Sequence, residues 1–95
     1  MIPVMNVVSL LSYDYVPDIV ERRVPHREGH LALIARYHDA GDCLLAGAVG
    51  DPPRAGALVF RTPEAAAAFV AEDPYVAAGL VPAHRIDPWA LVAGP

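Results

Sequence analysis

The chain has 95 residues, 55% of them apolar, and a formal net charge of −4 at pH 7. At this length we expect a single domain over residues 1–95, and the apolar fraction excludes an intrinsically disordered chain. All seven basic residues are arginines, and they are spread along the chain, so we expect no nucleic-acid binding. A domain this small leaves much apolar surface uncovered, which predicts a homodimer or a higher oligomer built from it.

The N-terminal segment before Asp14 is uncharged, but it is too short to span a membrane and has no basic residues of the kind that begin a signal peptide. We therefore expect no membrane association and a cytoplasmic protein. Cys43 is the only cysteine, which excludes an intramolecular disulfide and a cysteine-rich zinc site. Its apolar neighbours predict a buried, unreactive thiol.

The first half of the chain predicts a strand, a helix and a second strand. Residues 4–13 form an apolar run without breakers, typical of a central strand with both faces covered. Helical spacing of apolar residues follows between Pro17 and Gly41, with Pro25 either in the first helical turn or at a kink. Gly41 then ends the helix, and Cys43–Val49 is a second strand.

A hairpin and a second helix are predicted next. Residues 50–54 are rich in turn formers, and residues 57–61 form a third strand, so the second and third strands pair as a hairpin. Thr62 caps the following helix and Pro63 occupies its first turn, after which residues 65–71 continue it with small side chains.

A second cap and a last strand complete the order. Asp73 and Pro74 repeat the cap-plus-proline signal and predict a short helical segment that ends at Gly79. Residues 84–92 form the last strand, and Pro88 places it at a sheet edge or a bend.

The resulting β-α-β-β-α-β order is that of an α+β, ferredoxin-like sandwich, in which two helices cover one face of a four-stranded antiparallel sheet. A partner's sheet on the open face would give a dimeric α+β barrel.

Histidines are the first candidates for chemistry. His26 and His30 stand one helical turn apart and could share a metal ion, but the sequence fixes no third ligand, so we predict no metal site. His38 is explained by its place near the end of the helix, and His84 begins a strand. Asp73 has an ordinary interpretation as a helix cap.

Three segments resemble the YCII-related (YciI-like) family. They match that family in order and separation over nearly the whole chain, and they are Arg27-Glu28-Gly29-His30-Leu31, Leu44-Leu45-Ala46-Gly47 and Asp73-Pro74-Tyr75-Val76-Ala77-Ala78-Gly79-Leu80.

The resemblance implies a dimeric ferredoxin-like barrel with a small cleft and a working pair made of a histidine and an aspartate, here His30 and Asp73. It also implies chemistry without a cofactor, such as dehydrochlorination of a chlorinated hydroquinone. Two positions depart from the family pattern: Ala48 stands where many members have proline, and His26 is an additional histidine beside the expected cleft.

We therefore hypothesise a lyase, isomerase or dehalogenase-like enzyme that acts on a small cyclic or aromatic metabolite. Asp73 would accept a hydrogen bond from one ring nitrogen of His30, which leaves the other nitrogen to remove a proton. Arg27, Tyr75 and His26 are the candidate substrate-binding residues, although Arg27 could equally be a surface ion-pairing residue. The alternative is a dimeric module that binds a small ligand without turning it over.

Overall fold

The computed structural model describes residues 6–94. Four strands alternate with helical segments in the predicted order. They are β1 (Asn6–Asp14), α1 (Ile19–Arg22), a 3-10 turn (Val24–His26), α2 (Arg27–Asp39), β2 (Cys43–Val49), β3 (Ala55–Phe60), α3 (Pro63–Glu72), α4 (Pro74–Ala77) and β4 (Ala83–Leu91).

The strands form one antiparallel sheet in the order β2-β3-β1-β4. The predicted α+β fold class and the central position of β1 are therefore confirmed. Positions 4 and 5 of the predicted first strand lie outside the described residues. Strand β4 is an edge strand in which Pro88 lies opposite Ser9, as the proline indicated.

The segment around Pro25 is neither one kinked helix nor one helix that begins at the proline. Helix α1 ends at Arg22, the 3-10 turn contains the proline, and α2 starts at Arg27. A proline has no amide hydrogen to donate to the preceding turn, which favours this break. Gly41 follows α2 with a φ of 85°, the left-handed conformation predicted for the residue that ends the helix.

The local signals of the second half place α3 and α4 as predicted. Thr62 accepts a hydrogen bond at its Oγ1 from the amide of Ala65, 3.1 Å away. Helix α4 ends at Ala77, two residues before Gly79, whose φ of 75° closes the segment. Strand β3 starts at Ala55, earlier than predicted, because its pairing with the end of β1 extends it.

Helices α2 and α3 cover one face of the sheet, and the core lies between these layers. Side chains from both layers form the main cluster, which consists of Leu11, Tyr13, Leu33, Cys43, Leu58, Phe60, Ala66 and Phe69. The thiol of Cys43 is buried there, and desolvation raises its pKa, as expected of an unreactive cysteine. The opposite face, here called the open sheet face, exposes Leu45 and Trp89.

No helix within residues 6–94 is both long enough and apolar enough to cross a membrane.

Candidate functional site

A buried group of three polar side chains lies where β1, α2 and the start of α4 meet. The Nδ1 atom of His30 lies 2.8 Å from Oδ1 of Asp73, and the hydroxyl of Tyr13 donates to Oδ2 at 2.8 Å. The side chain of Asp73 is 0% exposed and that of His30 is 7% exposed. We call these three residues the buried triad.

Asp73 holds two roles at once. Besides contacting His30 and Tyr13, its Oδ1 accepts a hydrogen bond from the amide of Tyr75 at 3.0 Å, which caps α4. The interpretation of Asp73 as a cap is therefore correct, and it does not compete with the contact to His30. The hydroxyl of Tyr13 and the amide of Tyr75 both donate to its oxygens, which is the arrangement that an ionised carboxylate accepts. Opposite such an acceptor, Nδ1 of His30 is the ring nitrogen expected to carry the hydrogen.

The imidazole ring of His30 contacts two aromatic rings. It stacks on the ring of Tyr75 with 3.6 Å between centroids and an angle of 6° between planes, and its centroid lies 6.3 Å from that of Phe69 in an edge-to-face arrangement. Stacking and the Nδ1 contact together fix the orientation of the ring. Within residues 6–94, the hydroxyl of Tyr75 is the only side-chain polar atom that is fully enclosed without a partner. The side chain of His30 is 7% exposed and borders a cavity.

A cavity of about 280 Å³ lies beside His30, between α2 and the hairpin formed by β2 and β3. Its lining includes His30, Tyr75 and Arg27, three of the residues singled out in the sequence. Ala48, one of the two positions that depart from the family pattern, is also in the lining. The remaining residues of the lining are Tyr15, Arg23, Leu31, Ile34, Ala46, Gly47, Pro53 and Leu58.

His26 does not line this cavity. It is half-buried at the end of the 3-10 turn and directly precedes α2, whereas His30 faces inward toward the triad. Residues 6–94 contain no group of three or more histidine, cysteine, aspartate or glutamate side chains placed to hold a metal ion.

Tyr13 in β1 and Tyr15 in the loop after it were not identified as site residues from the sequence. Burial, the nearby Asp73 charge and the hydrogen bond to it raise the pKa of Tyr13, so this phenol stays protonated as a donor. Burial also raises the pKa of Tyr15 to about 12. Alternation along β1 was a usable signal for Tyr13, since it puts this side chain on the same face as the core residue Leu11.

A second, larger cavity of about 550 Å³ lies on the open sheet face. Val8, Leu45, Val59 and Trp89 line it together with Arg61, and no histidine or carboxylate takes part. It lacks an acid–base pair, so we place the candidate site at the cavity beside His30.

Comparison with known proteins supports the resemblance drawn from the sequence. A model of the YCII-related domain matches residues 5–90. The chain is 36% identical to Protein YciI of Escherichia coli O6:H1, with 79% of this chain and 88% of that protein covered, and the Shigella flexneri protein of the same name gives the same values.

A solved structure shares the fold. It is 5-chloro-2-hydroxyhydroquinone dehydrochlorinase (TftG) from Burkholderia phenoliruptrix AC1100 in complex with 2,5-dihydroxybenzoquinone. The TM-score is 0.69 at 20% sequence identity, and the match covers 86% of this chain and 92% of the other.

Proposed function

Because this chain belongs to the YCII-related family, we propose that it is a small-molecule enzyme that transfers protons without a cofactor, with His30 as general base. The observation that carries the proposal is the 2.8 Å contact between Nδ1 of His30 and Asp73, combined with the place of His30 in the lining of the cavity. A histidine in this arrangement has one nitrogen oriented and the other free to act on a substrate in the cavity.

The proposed step begins with Nε2 taking a proton from a carbon or hydroxyl of the bound substrate. The electron pair of the broken bond forms a new double bond, and the substrate either expels a leaving group or shifts an existing double bond. The charge of Asp73 stabilises the imidazolium that forms. The imidazolium then returns its proton to the product or to solvent, so the residues are regenerated without a redox partner. General-base assistance of this kind contributes about 10²–10⁴-fold in rate.

Tyr13 acts as a positioning residue in this scheme. Its hydroxyl occupies Oδ2 of Asp73, which directs the other carboxylate oxygen at His30. The stack with Tyr75 limits rotation of the imidazole ring and so supports the same orientation.

The substrate of the structural neighbour is the first compound to assay, since the two folds correspond and the cavity is of small-metabolite size. Chloride release from 5-chloro-2-hydroxyhydroquinone would be measured for the natural chain, for His30→Gln and for the matched control His38→Gln, which alters an exposed histidine outside the cavity. We expect turnover by the natural chain, a loss of at least about 100-fold in His30→Gln, and little change in the control.

The tautomer of His30 gives a test that needs no substrate. Nitrogen-15 NMR at neutral pH should show the hydrogen of the neutral ring on Nδ1, and Asp73→Asn, which retains a capping side chain, should weaken that preference. A ring with its hydrogen on Nε2 would overturn the role of His30 as base. Binding of 2,5-dihydroxybenzoquinone without turnover of any related compound would instead support a binding module.

We also propose that the open sheet face pairs with a second copy of the chain. Leu45 is 58% exposed and Trp89 45%, and both lie on this face of the sheet and line the larger cavity. Light scattering after size-exclusion chromatography should give the mass of a dimer, and Leu45→Glu should give that of a monomer. A monomeric natural chain at micromolar concentration would overturn this proposal.

A further inference from the structure

The cavity beside His30 holds two arginines without acidic partners. Arg23 and Arg27 both line it, and neither has a carboxylate within ion-pair distance among residues 6–94. By contrast Arg22, Arg36 and Arg85 each pair with a nearby carboxylate. The cavity lining therefore carries positive charge that no carboxylate of the described residues neutralises.

The position of Arg27 increases this imbalance. It is the first residue of α2, at the helix end where the backbone dipole is positive, and no side chain caps that end with a hydrogen bond. No aspartate or glutamate lines the cavity. An anion placed there would interact favourably with two guanidinium groups and with the helix end.

The phenol of Tyr15 lies at the same end of the cavity. The charges of both Arg23 and Arg27 act on its pKa in the lowering direction, although burial dominates and leaves that pKa at about 12. At neutral pH the hydroxyl is therefore protonated and available as a donor to an oxygen of the ligand.

The other end of the cavity is apolar. Leu31 lies one turn beyond Arg27 on α2, and Ile34 lies about one turn further, so charge gives way to hydrocarbon over about 10 Å of helix. Leu58 adds to the apolar end, and the small side chain of Ala46 leaves room beside it. A volume of about 280 Å³ suits a ligand with a single ring.

We propose that this cavity binds small organic anions, with a carboxylate or another planar oxyanion held by Arg23 and Arg27 and a ring-sized apolar body against Leu31, Ile34 and Leu58. The inference deepens the proposed function, because it names the substrate class of the same site. An oxyanion held at the arginine end anchors the body of the ligand alongside His30, where a proton can be removed.

Benzoate and benzamide test the proposal because they share a shape and differ in charge. Their dissociation constants would be measured by NMR titration of the full chain. We expect benzoate to bind at least about tenfold more tightly than benzamide, the equivalent of one favourable charge interaction. Equal affinities, or no binding of either compound, would overturn the proposal.

Three variants assign the effect to its residues. The ratio of benzoate affinity to benzamide affinity should fall severalfold in Arg23→Gln and in Arg27→Gln. In the double variant this ratio should approach one. Arg22→Gln is the matched control. It removes the same charge from the neighbouring residue, whose own side chain pairs with Asp18 and does not line the cavity. A preference that survives in the double variant, or that falls equally in Arg22→Gln, would overturn the assignment.

Two further measurements separate the outcomes. Inorganic phosphate should bind more weakly than benzoate, and equal binding would show a general anion site without a role for the apolar end. His30→Gln should retain the preference for benzoate even though the proposed function requires it to lose turnover. Turnover in His30→Gln therefore tests His30 as base. The ratio of benzoate to benzamide affinity in the natural chain tests the anion site separately.

Discussion

Glu72 and Asp73 are consecutive carboxylates with matching partners and opposite surroundings. Glu72 accepts hydrogen bonds from Arg36, at 2.8 Å, and from the hydroxyl of Tyr37. Asp73 has the buried histidine and tyrosine of the triad as its partners. The side chain of Glu72 is 46% exposed, whereas that of Asp73 is 0% exposed. Each carboxylate thus contacts one tyrosine and one basic side chain.

The kinds of side chain that contact a carboxylate therefore do not by themselves identify a functional site. In the exposed cluster, water and salt compete with every contact, and such pairs add little to stability. In the buried triad the same kinds of contact are desolvated, so they are stronger and hold a fixed geometry. Through His30 the triad borders the cavity of about 280 Å³, whereas neither Glu72 nor its two partners line that cavity.

The largest expected difference is between Asp73→Ala and Glu72→Ala. Removal of Asp73 leaves the hydroxyl of Tyr13 and the start of α4 without their acceptor in the protein interior. We expect a loss of about 3 kcal/mol in the free energy of unfolding. Glu72→Ala should have a much smaller effect, because water replaces its contacts. Urea denaturation of both variants measures the difference, and equal losses would contradict the contrast between the two clusters.

The tyrosines give the next comparison. Tyr13→Phe removes only a hydroxyl, but it leaves Oδ2 of Asp73 without a donor, so we expect a loss of about 2 kcal/mol in the free energy of unfolding. Tyr37→Phe removes a hydroxyl at the surface and is the matched control, with a clearly smaller expected loss. Thermal and chemical denaturation should agree on this order. The reverse order would show that the buried hydrogen bond contributes less than the exposed one.

Tyr75 should give an effect of opposite sign. Its hydroxyl is enclosed without a partner, so Tyr75→Phe removes a polar group that pays a desolvation cost while the ring can still stack on His30. We expect stabilisation of about 1 kcal/mol. A loss of stability would show that the hydroxyl forms a hydrogen bond in solution, for example to a bound water.

The smallest effect concerns pH. Hydrogen bonds from Tyr37 and Arg36 lower the pKa of Glu72. A carboxyl whose pKa is lower in the folded state stabilises the fold above its unfolded value, and this contribution is lost as the pH falls through the folded value. The stability gap between the natural chain and Glu72→Gln should therefore shrink below about pH 4.5. Denaturation at pH 7 and pH 3 measures it, and a gap that widens in acid would contradict the sign.

Local signals in the sequence sufficed for most element boundaries. Thr62, Gly41 and Pro88 each act through their own backbone or through an immediate neighbour, so their positions could be interpreted without knowledge of the tertiary fold. The break at Pro25 was left open, because the sequence does not decide between a kink and a new helix start. The extra length of β3 depends on pairing with β1, which is a long-range contact.

The candidate site was only partly predictable. His30 and Asp73 were identified through the family resemblance, and spacing alone would not have selected them. Tyr13 is 60 residues from Asp73 in the chain, so their contact depends on how the sheet brings β1 under α4. Arg23 lies between α1 and the 3-10 turn, at the break that the sequence left open, and its place in the cavity lining is a tertiary feature.

The close approach of Gly56 to Tyr15 limits which sequences this fold accepts. A Cβ atom at position 56 would lie 2.6 Å from the hydroxyl oxygen of Tyr15, too close for any side chain, and the rigid phenol cannot bend aside as a flexible chain would. Tyr15 in turn lies between Tyr13 and Tyr75, with 6.1 Å between ring centroids on either side. In a saturation library, position 56 should therefore retain glycine under selection for ligand binding, although its backbone conformation would accept other residues.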